Sequence, residues 1–228
     1  MKIIKTFLIV FVVSSIFFTG CSQQSTPDEV VEEFLAVLVL DEWQETIPFL
    51  SRDVLADMEI EEEITFVSRT MSNFQSVDFE ITEEIVAGNE AEIHFVFRAA
   101  FPGPEGSIDD WEWRDKFSLE KENEKWEIAD IGTIYTEIKM LEGKIESTAR
   151  NLMRTLEFQK AARGFYPVEI EDVVGFDIDG IPKLISDITY STVDNRQEYE
   201  LFLDSKLFDS RWLLTSESDN IEVHSPVP

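Results

Sequence analysis

Apolar residues recur at helical spacing soon after Thr26: Val30, Val31, Phe34, Leu35 and Leu38 fall on one face of a helix. The preceding Thr26-Pro27-Asp28 supplies a capping residue, a proline suited to a first turn and an acid favoured by the helix dipole. Two shorter helical pieces are predicted over 44–50 and 53–58, then a helix over 61–74 with Ile64, Val67, Met71 and Phe74 on one side. The period then changes to two. Val77, Phe79 and Ile81 alternate with acids, Gly88-Asn89 marks a turn, and Ile93, Phe95 and Phe97 alternate again, which predicts a hairpin. Past Phe101-Pro102-Gly103-Pro104, a third strand carries Trp111, Trp113, Phe117 and Leu119 on one parity. A fourth carries Trp126 and Ile128 after Glu122-Asn123-Glu124.

Helices followed by a meander with one strongly aromatic face predict an α+β layer, with the helices packed on a curved antiparallel sheet. Gly132 marks a boundary. From 134 to 163 one long helix carries Ile134, Ile138, Leu141, Ile145, Leu152 and Leu156 on a stripe and ends at Gly164 before Tyr166-Pro167. Strands over 188–191 and 198–203 form a hairpin around Asp194-Asn195, with 211–215 as a further strand, so a small antiparallel sheet follows the long helix. The expected units are 28–131 and 132–228.

The first 27 residues stand apart from this pattern. Lys2 and Lys5 precede an apolar run over 6–18, and Thr19 and Gly20 lead into Cys21, the order of a secretory signal. The run falls short of the roughly 20 residues a membrane span requires, and Ser14 and Ser15 interrupt it. Phe18-Thr19-Gly20-Cys21 resembles the lipobox of bacterial lipoproteins. That resemblance implies cleavage before Cys21, thioether lipidation of its sulfur, a signal peptide over 1–20 and a lipidated tether over 21–27. Cys21 is the single cysteine, so no intramolecular disulfide forms. Stable anchoring takes more than one acyl chain, and the lipoprotein modification supplies them. Ser22 stands where an Asp would retain an enteric-type lipoprotein at the inner membrane, which favours the outer membrane over the inner (plasma) membrane.

Charge narrows the partners. The formal net charge is -28, and removing 1–20 takes away two lysines and no acid, leaving -30. Such a surface repels nucleic acid and anionic lipid headgroups, so attachment to a membrane falls to the lipid anchor. With 43% apolar and 12% aromatic residues the chain still has ample material for cores. A saline habitat and a cationic partner explain the acidity equally well.

Residues 26–131 resemble small extracytoplasmic lipoprotein domains of the nuclear transport factor two-like (cystatin-like) superfamily. The likeness rests on Thr26-Pro27-Asp28-Glu29-Val30-Val31, on Gly88-Asn89-Glu90-Ala91, and on Phe117-Ser118-Leu119 through Lys125-Trp126-Glu127-Ile128. It implies a cone-shaped pocket and no particular reaction, since that superfamily includes small isomerases and many noncatalytic domains. Residues 148–206 resemble the globular heads of type II secretion pseudopilins through Thr148-Ala149-Arg150-Asn151-Leu152, Gly164-Phe165-Tyr166-Pro167 and the hairpin from Tyr190 to Leu203. A pilin's hydrophobic helix continuous with that head is replaced here by a folded domain, which implies a head used for interaction rather than pilus assembly.

Candidate chemistry is sparse. Nucleophilic triads need a histidine base, and the only histidines are His94, on a solvent-facing parity, and His224 in the tail. Cysteine-pair, zincin and phosphate-loop motifs do not occur, so no metal or cofactor is expected. Asp177-x-Asp179-Gly180 resembles part of a calcium loop without its closing Glu and reads as a turn. Two sets remain as candidate sites. Trp111, Trp113, Asp115, Phe117, Trp126 and Asp130 share the aromatic parity, where a buried carboxyl would have a raised pKa and could move a proton. Arg150, Arg154, Lys160 and Arg163 make 134–163 a net-basic helix that could face the acidic first unit or an acidic partner. The reading is a noncatalytic binding or scaffold lipoprotein, with an extracytoplasmic protein or a small apolar ligand as partner. The alternatives are an isomerase- or cyclase-like activity in the first unit and an accessory role in a secretion or pilus-like machine.

Overall fold

The computed structural model describes residues 25–57, 59–102, 108–173 and 183–224; the signal segment, Cys21 and the 177–180 turn lie outside the described residues. Helix α1 (Pro27–Leu38) buries Val30, Val31, Phe34, Leu35 and Leu38. Its start is fixed by Thr26, whose backbone N–H donates to Glu29 Oε2 at 2.9 Å, one half of a capping box. The piece expected over 44–50 is a 3-10 helix (Trp43–Phe49), which accommodates Pro48 near its end. Helix α2 is a single turn (Arg52–Leu55) capped by Ser51, and α3 (Ile60–Ser72) buries Ile64, Val67, Ser68, Thr70 and Met71.

Strands β1 (Ser76–Ala87), β2 (Glu90–Pro102), β3 (Ile108–Glu122) and β4 (Lys125–Asp130) form an antiparallel sheet in the order β1-β2-β3-β4. Gly88, at φ +69°, turns β1 into β2. The β3–β4 turn uses Asn123 and Glu124 at φ +49° and +68°, the paired left-handed conformation that matches the twist of a tight hairpin. Ile93, Phe95, Phe97, Trp113, Phe117, Leu119, Trp126 and Ile128 are all buried in the core that α1 and α3 share with this sheet.

Helix α4 (Ile134–Arg163) follows with its apolar stripe buried, and Gly164 ends it at φ +83°. The second sheet runs β5 (Asp187–Val193), β6 (Glu198–Ser205), β7 (Ser210–Thr215) and β8 (Ser218–His224), again antiparallel and in sequence order. Strand β8 adds to the three expected strands. Its Ser-Asp-Asn opening has the composition of a turn and conceals the alternation of Ile221 and Val223.

One cluster of buried residues runs through both sheets. Asn73, just past α3, donates its side-chain N–H to the Leu207 carbonyl at 3.0 Å, and Phe66 of α3 meets Tyr135 of α4 edge-to-face at 5.8 Å. The Gly164-Phe165-Tyr166-Pro167 element fastens the end of α4 to the β5–β6 turn. The Tyr166 N–H donates to the Arg196 carbonyl at 3.0 Å, Arg196 Nε donates to the Tyr166 carbonyl at 2.7 Å, and Tyr190 donates its hydroxyl to the Pro167 carbonyl at 3.1 Å. Among the described residues no helix is long and apolar enough to cross a membrane.

Candidate functional site

The aromatic parity of β2 and β3 forms a wall of rings. Trp111 stacks on Trp113 at 4.2 Å, Phe97 lies 3.9 Å from Trp113, and Phe95 meets Phe117 edge-to-face at 4.8 Å. From α1, Phe34 closes on Phe117 at 5.6 Å, and Phe74 lies 5.9 Å from Trp111. Trp113, Phe117 and Trp126 are buried, while Trp111 is half-buried. Rings therefore fill the space between helices and sheet where a ligand cone would open. The Trp113 Nε1–H is buried and has no acceptor among the described residues.

Asp115, the cross-strand neighbour of Phe95, and Asp130 are both engaged by backbone N–H groups. Asp115 Oδ2 accepts the Thr133 N–H at 2.9 Å and its Oδ1 accepts the Lys116 N–H at 2.8 Å, while Asp130 Oδ1 accepts the Gly132 N–H at 2.8 Å. Both carboxylates bind the backbone that launches α4. The cause is local: β4 pairs with β3 only from Ser118 onward, with a register shift between Ser118 and Leu119. Asp115 thus lies past the end of β4 and meets the turn at Gly132. There is no room for a side chain at Gly132, where a Cβ would collide with the Lys116 carbonyl and the Asp115 carboxylate.

Two depressions stand out among the described residues. One of about 380 Å³ is lined by Thr82, Glu83, His94, Phe95, Arg114 and Asp115, beside the irregularity between Ile81 and Glu83 in β1. Its His94 is engaged, with Nε2 2.6 Å from Glu92 Oε1, and Glu92 also pairs with Lys116. The hydrogen bonds from Lys116 and then His94 hold the Glu92 carboxyl below its ordinary pKa. Farther along the same face Arg98 bridges Glu80 at 3.1 Å and Glu112 at 3.0 Å. Another depression of about 420 Å³ runs along α3 beside Glu61, Glu62, Thr65, Phe66 and Arg69. Among the described residues no group of three or more His, Cys, Asp or Glu side chains is arranged to hold a metal ion.

Of the basic residues of α4, Lys139 lies over the Phe66 ring of the first unit at 4.2 Å, whereas Arg150 and Lys160 find their partners within the second. Arg150 pairs with Glu146 one turn back at 2.6 Å, and Lys160 donates to the Gln197 carbonyl at 2.6 Å while lying over the Tyr166 ring. Arg154 and Arg163 are exposed and make no ion pair among the described residues. Beside Arg154 stands Phe158, 74% exposed, which the sequence pattern passed over. The available signal was its position, a lone aromatic on the polar side of a helix whose apolar stripe is already complete.

No protein-family model matches the chain, and no curated protein matches it. Solved structures resemble parts of it at low scores. A SEC-C motif containing protein from Rhodopseudomonas palustris is 11% identical with a TM-score of 0.37, over 46% of this chain and 76% of that one. A SnoaL-like protein from Shewanella putrefaciens is 18% identical at 0.35, over 55% of this chain and 98% of that one. A nuclear transport factor two-like protein from Campylobacter jejuni is 16% identical at 0.33, over 46% of this chain and 98% of that one. These likenesses are too distant to bear on activity.

Proposed function

We propose that this chain is an exported lipoprotein, held at an envelope membrane by lipid on Cys21, whose folded part binds or scaffolds another extracytoplasmic component without catalysis. The observation that carries the noncatalytic reading is the filled aromatic interior. A ligand or reaction site of the expected kind needs a concave, mostly apolar cavity of a few hundred Å³. Here Phe34, Phe95, Phe97, Trp113 and Phe117 occupy that space, and Asp115 and Asp130, the carboxylates on the aromatic parity, bind the backbone that launches α4. The helices-then-meander order supports a nuclear transport factor two-like first unit. The long helix joined through Tyr166 to an antiparallel sheet supports a pseudopilin-head-like second unit.

Calorimetric titration of the chain lacking 1–20 with small apolar and polyketide-like compounds should give no saturable heat. Stoichiometric binding, or turnover of any of them, would overturn the noncatalytic reading. Labelling with radioactive fatty acid tests the anchor separately: the full chain should take up label, and Cys21→Ala should take up none and stay uncleaved. One observation favours a second reading, a small apolar ligand bearing a single hydrogen-bond acceptor, namely the unpaired indole N–H of Trp113 beside half-buried Trp111. Trp113→Phe would weaken such a ligand, and the same titration would reveal it.

A further inference from the structure

We infer that the solvent face of α4, centred on Phe158, is a docking ridge for an acidic amphipathic helix of another extracytoplasmic protein. The inference rests on the scaffold reading above and names its partner.

At about 100° per residue, Met140, Gly143, Ser147, Arg150, Arg154, Phe158 and Ala161 fall on one stripe, and it lies opposite the buried stripe of Ile138, Ile145, Leu152 and Leu156. Every residue of the outer stripe is exposed, with Met140 at 50% and Phe158 at 74%. Phe158 is the most exposed large apolar side chain among the described residues. Phe165, just past the helix end, is 39% exposed and covered on one face by Arg196 at 4.1 Å. An apolar ring and a methionine on an otherwise hydrophilic helix face are what an interface core requires, and arginine and aromatic residues dominate such cores.

Charge selects the partner. No acid lies on the stripe itself: Glu146 stands beside it and Glu157 is turned to the Tyr166 hydroxyl at 2.6 Å. Arg154 has no ion pair among the described residues, so an incoming carboxylate finds it free. On a chain of net charge -28 this cationic face is the exception, and it disfavours a second copy, whose surface is acidic but whose own ridges would repel one another. The shape selects a helix. From Met140 to Phe158 the ridge is about 27 Å long at 1.5 Å rise per residue, and Gly143, Ser147 and Ala161 are small, with nothing within 4 Å of the position a Gly143 Cβ would take. A partner backbone can therefore approach between the Met140 and Phe158 knobs. A lipid surface fits less well, because the broad apolar face that would enter it is turned inward against the sheets, leaving a ridge one residue wide.

The test uses the chain lacking 1–20 and a fluorescent helical peptide of about five turns, with leucines on one stripe and glutamates flanking it. A twin peptide carries lysine in place of glutamate. Anisotropy should show saturable binding of the acidic peptide, weakened about tenfold by Phe158→Ala and again by Arg154→Glu, while the lysine twin, drawn to the acidic remainder of the chain, binds without regard to Phe158 and gains affinity for Arg154→Glu. Both variants alter exposed side chains, and unchanged melting curves confirm their fold. Failure of the acidic peptide to bind, or its indifference to Phe158→Ala, overturns the ridge. So does Phe158-dependent sedimentation with phosphatidylglycerol vesicles when the acidic peptide does not bind, since that result assigns the face to lipid. A catalytic activity found in the first unit would overturn the scaffold reading and leave these outcomes readable on their own.

Discussion

Phe66 of α3 stacks on Phe208 of the β6–β7 turn, with ring centroids 6.2 Å apart and planes 15° from parallel. Lys139 lies over the Phe66 ring at 4.2 Å, and Phe208 in turn meets Trp212 edge-to-face at 6.4 Å. One aromatic pair thus joins elements more than a hundred residues apart and couples the helical layer of the first sheet to the second sheet.

Breaking this pair should loosen the two units from each other before either unfolds. Phe208→Ala, which empties a buried position, should cost about 3–5 kcal/mol, and Phe66→Ala less, because Phe66 is only partly buried. In a double-mutant cycle the coupling between them should be about 0.5–1.5 kcal/mol, the usual range for an aromatic pair. Calorimetry checks the consequence. The native chain should melt in one transition and the double variant in two, and a single unchanged transition would mean that the units do not communicate through these rings.

Gly132 and Gly88 offer a matched comparison at the two ends of the first sheet. Both have positive φ, +63° and +69°, so alanine is strained at either. At Gly88 nothing lies within 4 Å of the added carbon, and Gly88→Ala should cost only about 1 kcal/mol. At Gly132 the added carbon would strike a backbone carbonyl and the Asp115 carboxylate that accepts the Thr133 N–H. Gly132→Ala should therefore cost at least twice as much by urea unfolding. Asp115→Ala, which removes the acceptor without a clash, should cost about 1 kcal/mol at this partly exposed site, and Asp115→Asn less, since the amide oxygen still accepts one of the two N–H groups. Equal costs for the two glycine variants would remove the steric account of the α4 turn.

These residues also mark where sequence periodicity carries structural information and where it stops. Val30, Phe34 and Leu38, or Ile93, Phe95 and Phe97, announce their elements because one buried face imposes a period on the chain. Asp115 obeys the same parity as Trp113 and Phe117, yet its carboxylate accepts the Thr133 N–H, and parity cannot foretell a contact made by a turn eighteen residues away. Phe66 and Phe158 are both aromatic residues off the main stripe of their helices. The first proved to be a junction and the second an exposed ridge, and only the position of the second sheet separates the two cases. The basic helix is legible as a charge pattern, whereas the partners of Arg150 and Lys160 are set by side-chain reach within the second unit.

The last prediction concerns alkaline pH and the Tyr166 element. Burial is the chief cause that pushes the Tyr190 hydroxyl up to about 12, with Arg196 opposing, and burial together with the hydrogen bond to Glu157 raises Tyr166 as well. Both hydroxyls donate, to the Pro167 carbonyl at 3.1 Å and to Glu157 Oε1 at 2.6 Å, and a phenolate can do neither. In the unfolded chain a tyrosine releases its proton near pH 10. Below that pH both states hold the proton and stability is independent of it. From about pH 10 upward the unfolded chain loses protons that the folded chain keeps, so stability falls, and it continues to fall until the folded hydroxyls ionise too. The slope approaches at most about 1.4 kcal/mol per pH unit for each tyrosine. Urea unfolding at a series of pH values from 8 to 11 should show a flat region and then this decline. Tyr190→Phe, which keeps the ring beside Tyr199 and removes the ionisable group, should make the decline shallower, although it forfeits the Pro167 bond at every pH. A decline of the same slope in Tyr190→Phe would mean that Tyr190 keeps its ordinary affinity for the proton, and that burial does not govern this latch.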